Sequence, residues 1–404
     1  MKNLRSTLLF IAVFVLFLAS CKEDTDDLIS KEKLSGFIQK GPFLNGTSIS
    51  VSELNKDLSQ SGKVFNSQIK DNQGTFELLG LQLSSPYVQL KADGYYFNEV
   101  AGTVSTSQLT LNALADVSNI SSLNVNVITT LEKARVEKLV AGGLAFAEAK
   151  KKAMGEILAI FSITKADIQN PEGLDINKPG EDNAILLAIS SVLQGYRSEA
   201  QLSELLANIS EDISADGKLD SEILGTALVS HAKVLDVAKI RENLSQRYQE
   251  TGSTAQIPAF EKYIAQFVEK TPFKAVSLFT YPVTVNGSLN LLNENNSAFV
   301  AKVDNPYKFS ATTPKGASLK IKMEYVEGGD STGVYWAYRL ASDTNWKQTN
   351  YDDKQKSQYF EVVESGKTSN LEMLFLTGNG VKIRISYFEN NDLVAIKNRI
   401  ITIN

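Results

Sequence analysis

The stretch LTLNALADVSNISSLNVNVI, residues 109–128, decides the fold class because its hydrophobic period changes along its length. Leu109, Leu111 and Ala113 occupy alternate positions, the spacing of a strand with one buried face. From near Ser118 the period becomes 3.6, and Ile128 opens a helical series continued by Leu131, Leu139 and Val140. The N-terminal side of this junction reads as strand, and the C-terminal side as helix.

Toward the N-terminus the period stays at two. Ile49 and Val51 share a face, as do Phe76 and Leu78, and then Val88, Leu90 and Ala92. Turn signals separate these runs: Gly41-Pro42, Asn45-Gly46, residues 71–74 (DNQG) and Asp93-Gly94. Short strands at this spacing predict a small β-sandwich over 34–117. Toward the C-terminus, apolar stripes recur at helical spacing. Phe146, Ala149, Ala153, Ile157, Ile160 and Phe161 form one, and Ile185, Leu186, Ile189, Val192, Leu193 and Tyr196 another. Leu202, Leu205, Leu206, Ile209 and Ile213 form a third, Leu224, Leu228, Leu235 and Ala238 a fourth, and Phe260, Tyr263, Ile264 and Phe267 a fifth. With the series from Ile128 this predicts six amphipathic helices that bury their stripes on one another as an α-helical bundle over 118–272. Residues 169–182, carrying Pro171, Gly173, Pro179 and Gly180, read as a long connection that breaks the bundle in two. From 273 to 404 alternation returns at Val283 and Val285, at Leu319, Ile321 and Met323, and at Val334, Trp336, Tyr338 and Leu340. This block reads as a second β-sandwich of immunoglobulin-like kind, which makes the chain multidomain α+β.

The run SGFIQKGPFLNGTSISV, with DNQGTFEL and LKADGYYF after it, is similar to the carboxypeptidase regulatory-like (transthyretin-like) β-sandwich domain. The resemblance covers about residues 35–115 and implies no catalytic residues. The succession of β-block and helical block also resembles uncharacterised lipoproteins of Bacteroidota.

Composition narrows the chemistry. Of 404 residues, 43% are hydrophobic and 22% charged, an ordinary balance for domains with real cores. One cysteine leaves no internal disulfide or thiolate cluster, and one histidine, His231, leaves no multi-histidine metal site. A formal charge of −5 disfavours nucleic acid as a partner, and no cofactor is expected. The one cysteine, Cys21, ends a leader: Lys2 and Arg5 precede an apolar run over 8–18, with Ala19 and Ser20 after it. The order Leu18, Ala19, Ser20, Cys21 resembles the bacterial lipobox, which implies a signal peptide over 1–20 and acylation of Cys21. Acyl chains contribute about 0.8 kcal/mol per buried CH2, so several anchor the chain stably to a lipid bilayer. Residues 21–33 form an acidic tether. Glu23, Asp24, Asp26 and Asp27 read either as a solvated spacer or as something similar to the export signal of Bacteroidota surface lipoproteins. The expected location is the outer membrane, lipid-anchored and facing the cell surface.

Four constellations carry candidate chemistry. Residues 329–333 (GDSTG) match the nucleophile elbow of serine hydrolases, but a strand pattern comes next and no histidine lies beyond Ser331, so a turn fits better. The same Ser331 resembles an acceptor for the short O-glycosylation motif of Bacteroidota. Asp212, Ser214 and Asp216 imitate the first half of a calcium loop, with Gly217 at its sixth position, yet Ile223 stands where the bidentate carboxylate belongs. No metal is expected there. His231 falls on an apolar helical stripe and reads as a hydrogen-bonded core residue. In the last block, alternation sends Trp336 and Tyr338 inward and Tyr335 and Arg339 outward, while Trp346 comes just after the turn-like residues 342–345 (SDTN). Trp346, Tyr335 and Tyr351 are therefore the candidate binding residues.

Three functions compete. The first is a non-catalytic envelope lipoprotein presenting β-sandwich faces to glycan or a partner protein. The others are a glycan-active hydrolase using two carboxylates and an architectural subunit of an envelope complex. Cys21→Ser is expected to release the chain from the membrane fraction. Retention of the mutant there, with palmitate labelling intact, would show that Cys21 is not the anchor.

Overall fold

The computed structural model describes residues 28–276, 278, 280–284, 300–301, 307–312, 319–328, 335–340, 342–350, 357–362, 368–375, 380–389 and 397–403. The signal peptide, Cys21, the acidic residues of the tether, Ser331 with its GDSTG motif, and Tyr351 lie outside the described residues. The fold is mixed α+β, with several sheets and seven α-helices among the described residues.

Strand β1 (Ile29–Gln39) opens the described chain, and β2 (Ser48–Leu54), β3 (Gln60–Gln68), β4 (Thr75–Leu83) and β5 (Tyr87–Gly94) come after it. A short pair, β6 (Phe97–Asn98) and β7 (Thr103–Val104), leads into β8 (Leu109–Asp116) and β9 (Val125–Asn126). One sheet has the order β4-β1-β9 and a second the order β3-β2-β5-β8. The alternating residues face inward as expected: Ile49, Val51, Phe76, Leu78, Val88, Leu90, Ala92, Leu109, Leu111 and Ala113 are all buried. Strand β1 starts at Ile29, ahead of the apolar alternation at Leu34, because its main chain stays paired with β4 out to Ile29 opposite Leu83. There the ladder extends the strand, where the side chains alone read as tether. The Asp93-Gly94 turn is also absent. Gly94 pairs with Leu109 as the last residue of β5, and a Cβ there would lie 2.1 Å from Thr47 Oγ1.

The junction is set by Asn126. Val125 pairs with Ile38 in a parallel bridge of β9 to β1, and the next residue caps a helix. Asn126 Oδ1 accepts from the amides of Ile128 and Thr129, Thr129 Oγ1 accepts from the Asn126 amide, and Asn126 Nδ2 donates to the Pro171 carbonyl. This capping box fixes helix α1 (Val127–Ala141) at its start. Then come α2 (Phe146–Ile160), α3 (Glu181–Gln194), α4 (Glu199–Ser214), α5 (Glu222–Lys233), α6 (Val237–Glu250) and α7 (Glu261–Lys270). The count exceeds expectation by one. The stripe from Leu224 to Ala238 spans two helices, because Asp236 accepts from the Lys239 amide and starts α6, leaving Ala238 exposed. Helix α6 escapes a periodicity search because its apolar side is one residue wide: Ile240, Leu244 and Tyr248.

Residues 169–182 do not divide the helices. Helix α1 packs on α2, α3 and α4 across this segment, and Pro171 is buried within a 3-10 turn over Pro171–Gly173. Helix α1 also packs on β8. One apolar cluster runs from strand residues such as Leu34 and Leu111 to helix residues such as Ile157, Leu187 and Phe267.

Two further sheets lie beyond the helices. One has the order β10 (Thr280–Thr284), β12 (Tyr307–Thr312), β17 (Thr368–Phe375), β14 (Tyr335–Leu340) and β15 (Lys347–Asn350). The other runs β11 (Val300–Ala301), β19 (Lys397–Ile403), β18 (Val381–Glu389), β13 (Leu319–Glu327) and β16 (Ser357–Val362). Leu319, Ile321 and Met323 are buried as the alternation requires, in one cluster with Val381, Ile383 and Ile385. Strand β14 differs from expectation: Ala337 is buried while Tyr338 and Leu340 are half-buried. Tyr338 and Leu340 nonetheless pack against the core cluster.

The deepest charge pair ties strands to helices. Lys40 and Glu99 are each 0% exposed, 2.5 Å apart. Ser190 of α3 donates to the Lys40 carbonyl, and Asn243 of α6 donates to the Glu99 carbonyl. Glu99→Gln leaves a buried ammonium without its counter-ion and is expected to cost about 3–5 kcal/mol, whereas Lys40→Met combined with Glu99→Leu should stay near wild type. Denaturant titration of both variants measures this.

Candidate functional site

Of the residues singled out for binding, Trp346 is the one whose side chain the structure places. It sits half-buried at the end of the turn between β14 and β15. The Arg339 guanidinium lies 4.5 Å from the centre of its ring. Arg339 in turn meets Glu372 across the β14–β17 ladder, with Nε 2.6 Å from Oε2. Glu372 is almost fully buried, so the guanidinium is pinned between a carboxylate and an indole face. Tyr335 enters β14 opposite Asn350 in the ladder, which brings its backbone, though not a described side chain, to the same hairpin. The expected outward pair is thus in part a stack: Arg339 does face Trp346, and it covers one side of the ring.

The calcium-like loop is organised by other bonds. Asp212 Oδ2 accepts from the amides of Asp220 and Ser221, and Asp216 accepts from the Lys218 amide. The carbonyls of Ser214 and Ala215 accept from Arg135 Nη1. Arg135 is itself clamped by Glu156 through Nε and Nη2, each bond 2.8 Å. No group of three acidic, histidine or cysteine side chains converges among the described residues.

His231 is a backbone partner. Its Nδ1 accepts from the Tyr196 amide at 2.9 Å, just after Gly195, whose positive φ of 47° brings the chain against the imidazole. Burial and the nearby Arg197 charge push its pKa down to about 3, so the ring is neutral at physiological pH. Arg197 donates to the carbonyls of Val192, Leu193 and Ala227, closing the end of α3.

A second interior centre was not foreseen. Lys150 of α2 is enclosed and contacts Glu132 of α1, Glu172 at 2.9 Å, and the Leu114 carbonyl at 3.1 Å. Two carboxylates share one ammonium, so one of them keeps its proton. Burial, helped by the Glu172 charge, pushes the Glu132 pKa up to about 8. The two carboxylates together outweigh burial at Lys150 and hold its pKa above the ordinary value. A cavity of about 390 Å³ opens beside this centre, lined by Asp116, Phe146, Lys150, Asn170 and Glu172. The sequence carried one signal for it: Glu132 and Lys150 are charges set within the apolar stripes of α1 and α2. The ammonium is spent on protein oxygens, and Glu132 is not part of the cavity lining, so the centre braces α1, α2 and residue 172 against β8.

No protein-family model matches the chain, and no curated protein matches it. Among solved structures, the chain aligns with a calcium-binding mutant of Bacteroides uniformis β-glucuronidase 2 at 10% identity and a TM-score of 0.12. The alignment covers 92% of this chain and spans 57% of the length of that structure, and a likeness so slight carries no conclusion.

The two titrating groups give opposite pH dependences. The Glu132 pKa rises from an ordinary 4.5 to about 8, so the native state holds the extra proton and stability falls as pH rises toward 8. The His231 pKa falls from 6.5 to about 3, so stability is lost as pH drops below 6.5. Between about pH 6.5 and 8 only Glu132 acts of these two, and the melting temperature is expected to decline there. Glu132→Gln should flatten that limb and leave the acid limb in place; an unchanged limb would assign the slope elsewhere.

Proposed function

We propose that the chain is a non-catalytic, lipid-anchored protein of the cell envelope that presents β-sheet surfaces to glycan. In this reading Cys21 is acylated and holds the protein at the outer membrane, facing outward on an acidic tether. The first two sheets form a small sandwich of the carboxypeptidase regulatory-like kind, the helices a bundle behind it, and the last two sheets an immunoglobulin-like sandwich that carries the binding face.

The observation that carries the reading is the Arg339–Trp346 stack. An indole held half-buried at a hairpin, braced on one side by a guanidinium that is itself ion-paired, is a rigid flat surface with little rotamer entropy left to lose on binding. Rigid sandwiches commonly carry recognition on such loops. The interior charges are tied up within the fold: Lys150 is ion-paired with Glu132 and Glu172, and the neutral His231 is engaged with backbone.

A glycan array on the full chain, repeated with Trp346→Ala, tests the reading. The variant should lose glycan signal while its stability falls by only about 1–2 kcal/mol, the size of one partly shielded cation–π contact. Arg339→Met should cost more, about 3–5 kcal/mol, because it takes the guanidinium from the nearly buried Glu372 carboxylate. Full glycan signal from Trp346→Ala would end the case for this hairpin.

A further inference from the structure

The outer face of the β1–β4 pair carries a groove of about 680 Å³, larger than the 390 Å³ cavity beside Lys150 and a third of about 370 Å³ between β8, α1 and α4. Its volume falls within the span of small-ligand sites, roughly 300–1,000 Å³. Register builds the floor. Lys33 pairs with Leu79, Ser35 with Glu77, and Phe37 with Thr75, so these six side chains share the face opposite the buried Leu34, Phe76 and Leu78. The end of β3 and the turn after it, at Gln68 and Lys70, form one wall, and Ser122 forms the other.

Both walls are fixed by main-chain bonds. The Ser35 amide donates to the Ser121 carbonyl at 3.1 Å and the Leu123 amide to the Ser35 carbonyl at 2.9 Å. This crossing is possible because residue 36 is glycine: a Cβ there would lie 1.9 Å from the Leu123 carbonyl oxygen. On the other side Ser67 Oγ donates to the Glu77 carbonyl at 2.7 Å, and the Asp71 carboxylate accepts from the amides of Gln73 and Thr75. The groove is preformed.

Its chemistry selects a class of ligand. Lys33 and Lys70 balance Glu77 and Asp71, so neither an anion nor a cation gains from the local field. The Lys33–Glu77 pair, 2.9 Å apart, is half exposed, offering donor and acceptor side by side to solvent. Phe37 is half-buried and Leu79 is 70% exposed, giving an apolar patch beside those polar groups. The floor is the side-chain face of the β1–β4 pair, whereas an extended peptide pairs with the main-chain edge of a strand, as at the outer edge of β4. Glu77 and Lys33 together suit vicinal hydroxyls, and Phe37 and Leu79 suit the C–H face of a sugar ring.

We infer that this groove is a second binding site, for a neutral oligosaccharide. It shares its ligand class with the proposed function but none of its residues, so the two stand or fall separately. The test is isothermal calorimetry on the full chain in detergent with maltohexaose, cellohexaose and mannohexaose. Two sites per chain are expected for the sugar that binds. Ser122→Trp and Glu77→Gln, both at exposed positions, should each weaken one site tenfold or more with an unchanged melting temperature, while Trp346→Ala removes the other. If the groove variants leave both stoichiometry and affinity unchanged and Trp346→Ala removes all binding, the groove is not a site and the hairpin reading survives. If the groove variants remove all binding and Trp346→Ala none, the groove stands and the hairpin reading falls. Absence of binding by all three sugars overturns both. A library peptide whose binding is blocked by Ser122→Trp would assign the groove to protein and overturn the saccharide.

Discussion

Lys40 and Glu99 form a salt bridge with no exposure to solvent, and the segments that carry it also carry main-chain carbonyl bonds that join strands to helices. A lone buried charge is far too costly to tolerate, so each residue must find the other, and the chain segments bearing them must close together. The closure is tight: a Cβ at residue 41 would fall 2.1 Å from the Phe97 carbonyl oxygen, so glycine stands there. Around the pair, Ser190 and Asn243 take up the adjoining carbonyls, and Tyr96 reaches from beside the Lys40 ammonium to Gln194 on α3. Polar bonds with fixed directions thereby set how the helices lie on the sheet. Apolar contact by itself would allow many packings.

The same logic recurs at Lys150, where one ammonium holds two carboxylates from different segments, and at Arg135, which closes the loop after α4. In both places an interior cation draws together oxygens from separate segments. Two ionisable groups beside apolar surface lie on sheets: the Lys33–Glu77 pair on β1 and β4, and the Arg339–Trp346 stack on the β14 hairpin. Both lie apart from the joint that holds strands to helices at Lys40 and Glu99.

Much of the strand pattern was legible because a half-buried strand exposes alternate residues, and the sequence writes that period directly. Ile49 with Val51 and Leu319 with Ile321 show it. Helices with broad apolar stripes, such as α3 and α4, were equally plain. Helix α6 was not, since one inward residue per turn falls below what periodicity detects and its start depends on a single capping aspartate, Asp236. The true beginning of β1 was hidden for a different reason: main-chain pairing with β4 carries no side-chain signature. The candidate sites divided in the same way. Trp346 was visible as an aromatic after a polar turn, but the groove on β1 and β4 was not, because its floor is made of residues far apart in the chain that only register brings side by side.

The sequence by itself determined the succession of a strand block, a helical block and a second strand block, and a leader-like run ahead of Cys21, since each is written in neighbouring residues. Tertiary structure alone decided which charges are interior. Lys40 with Glu99, and Lys150 with Glu132 and Glu172, are ordinary in sequence, and only the packing of distant segments strips water from them. Desolvation is a property of surroundings, and a residue's surroundings are assembled from everywhere in the chain.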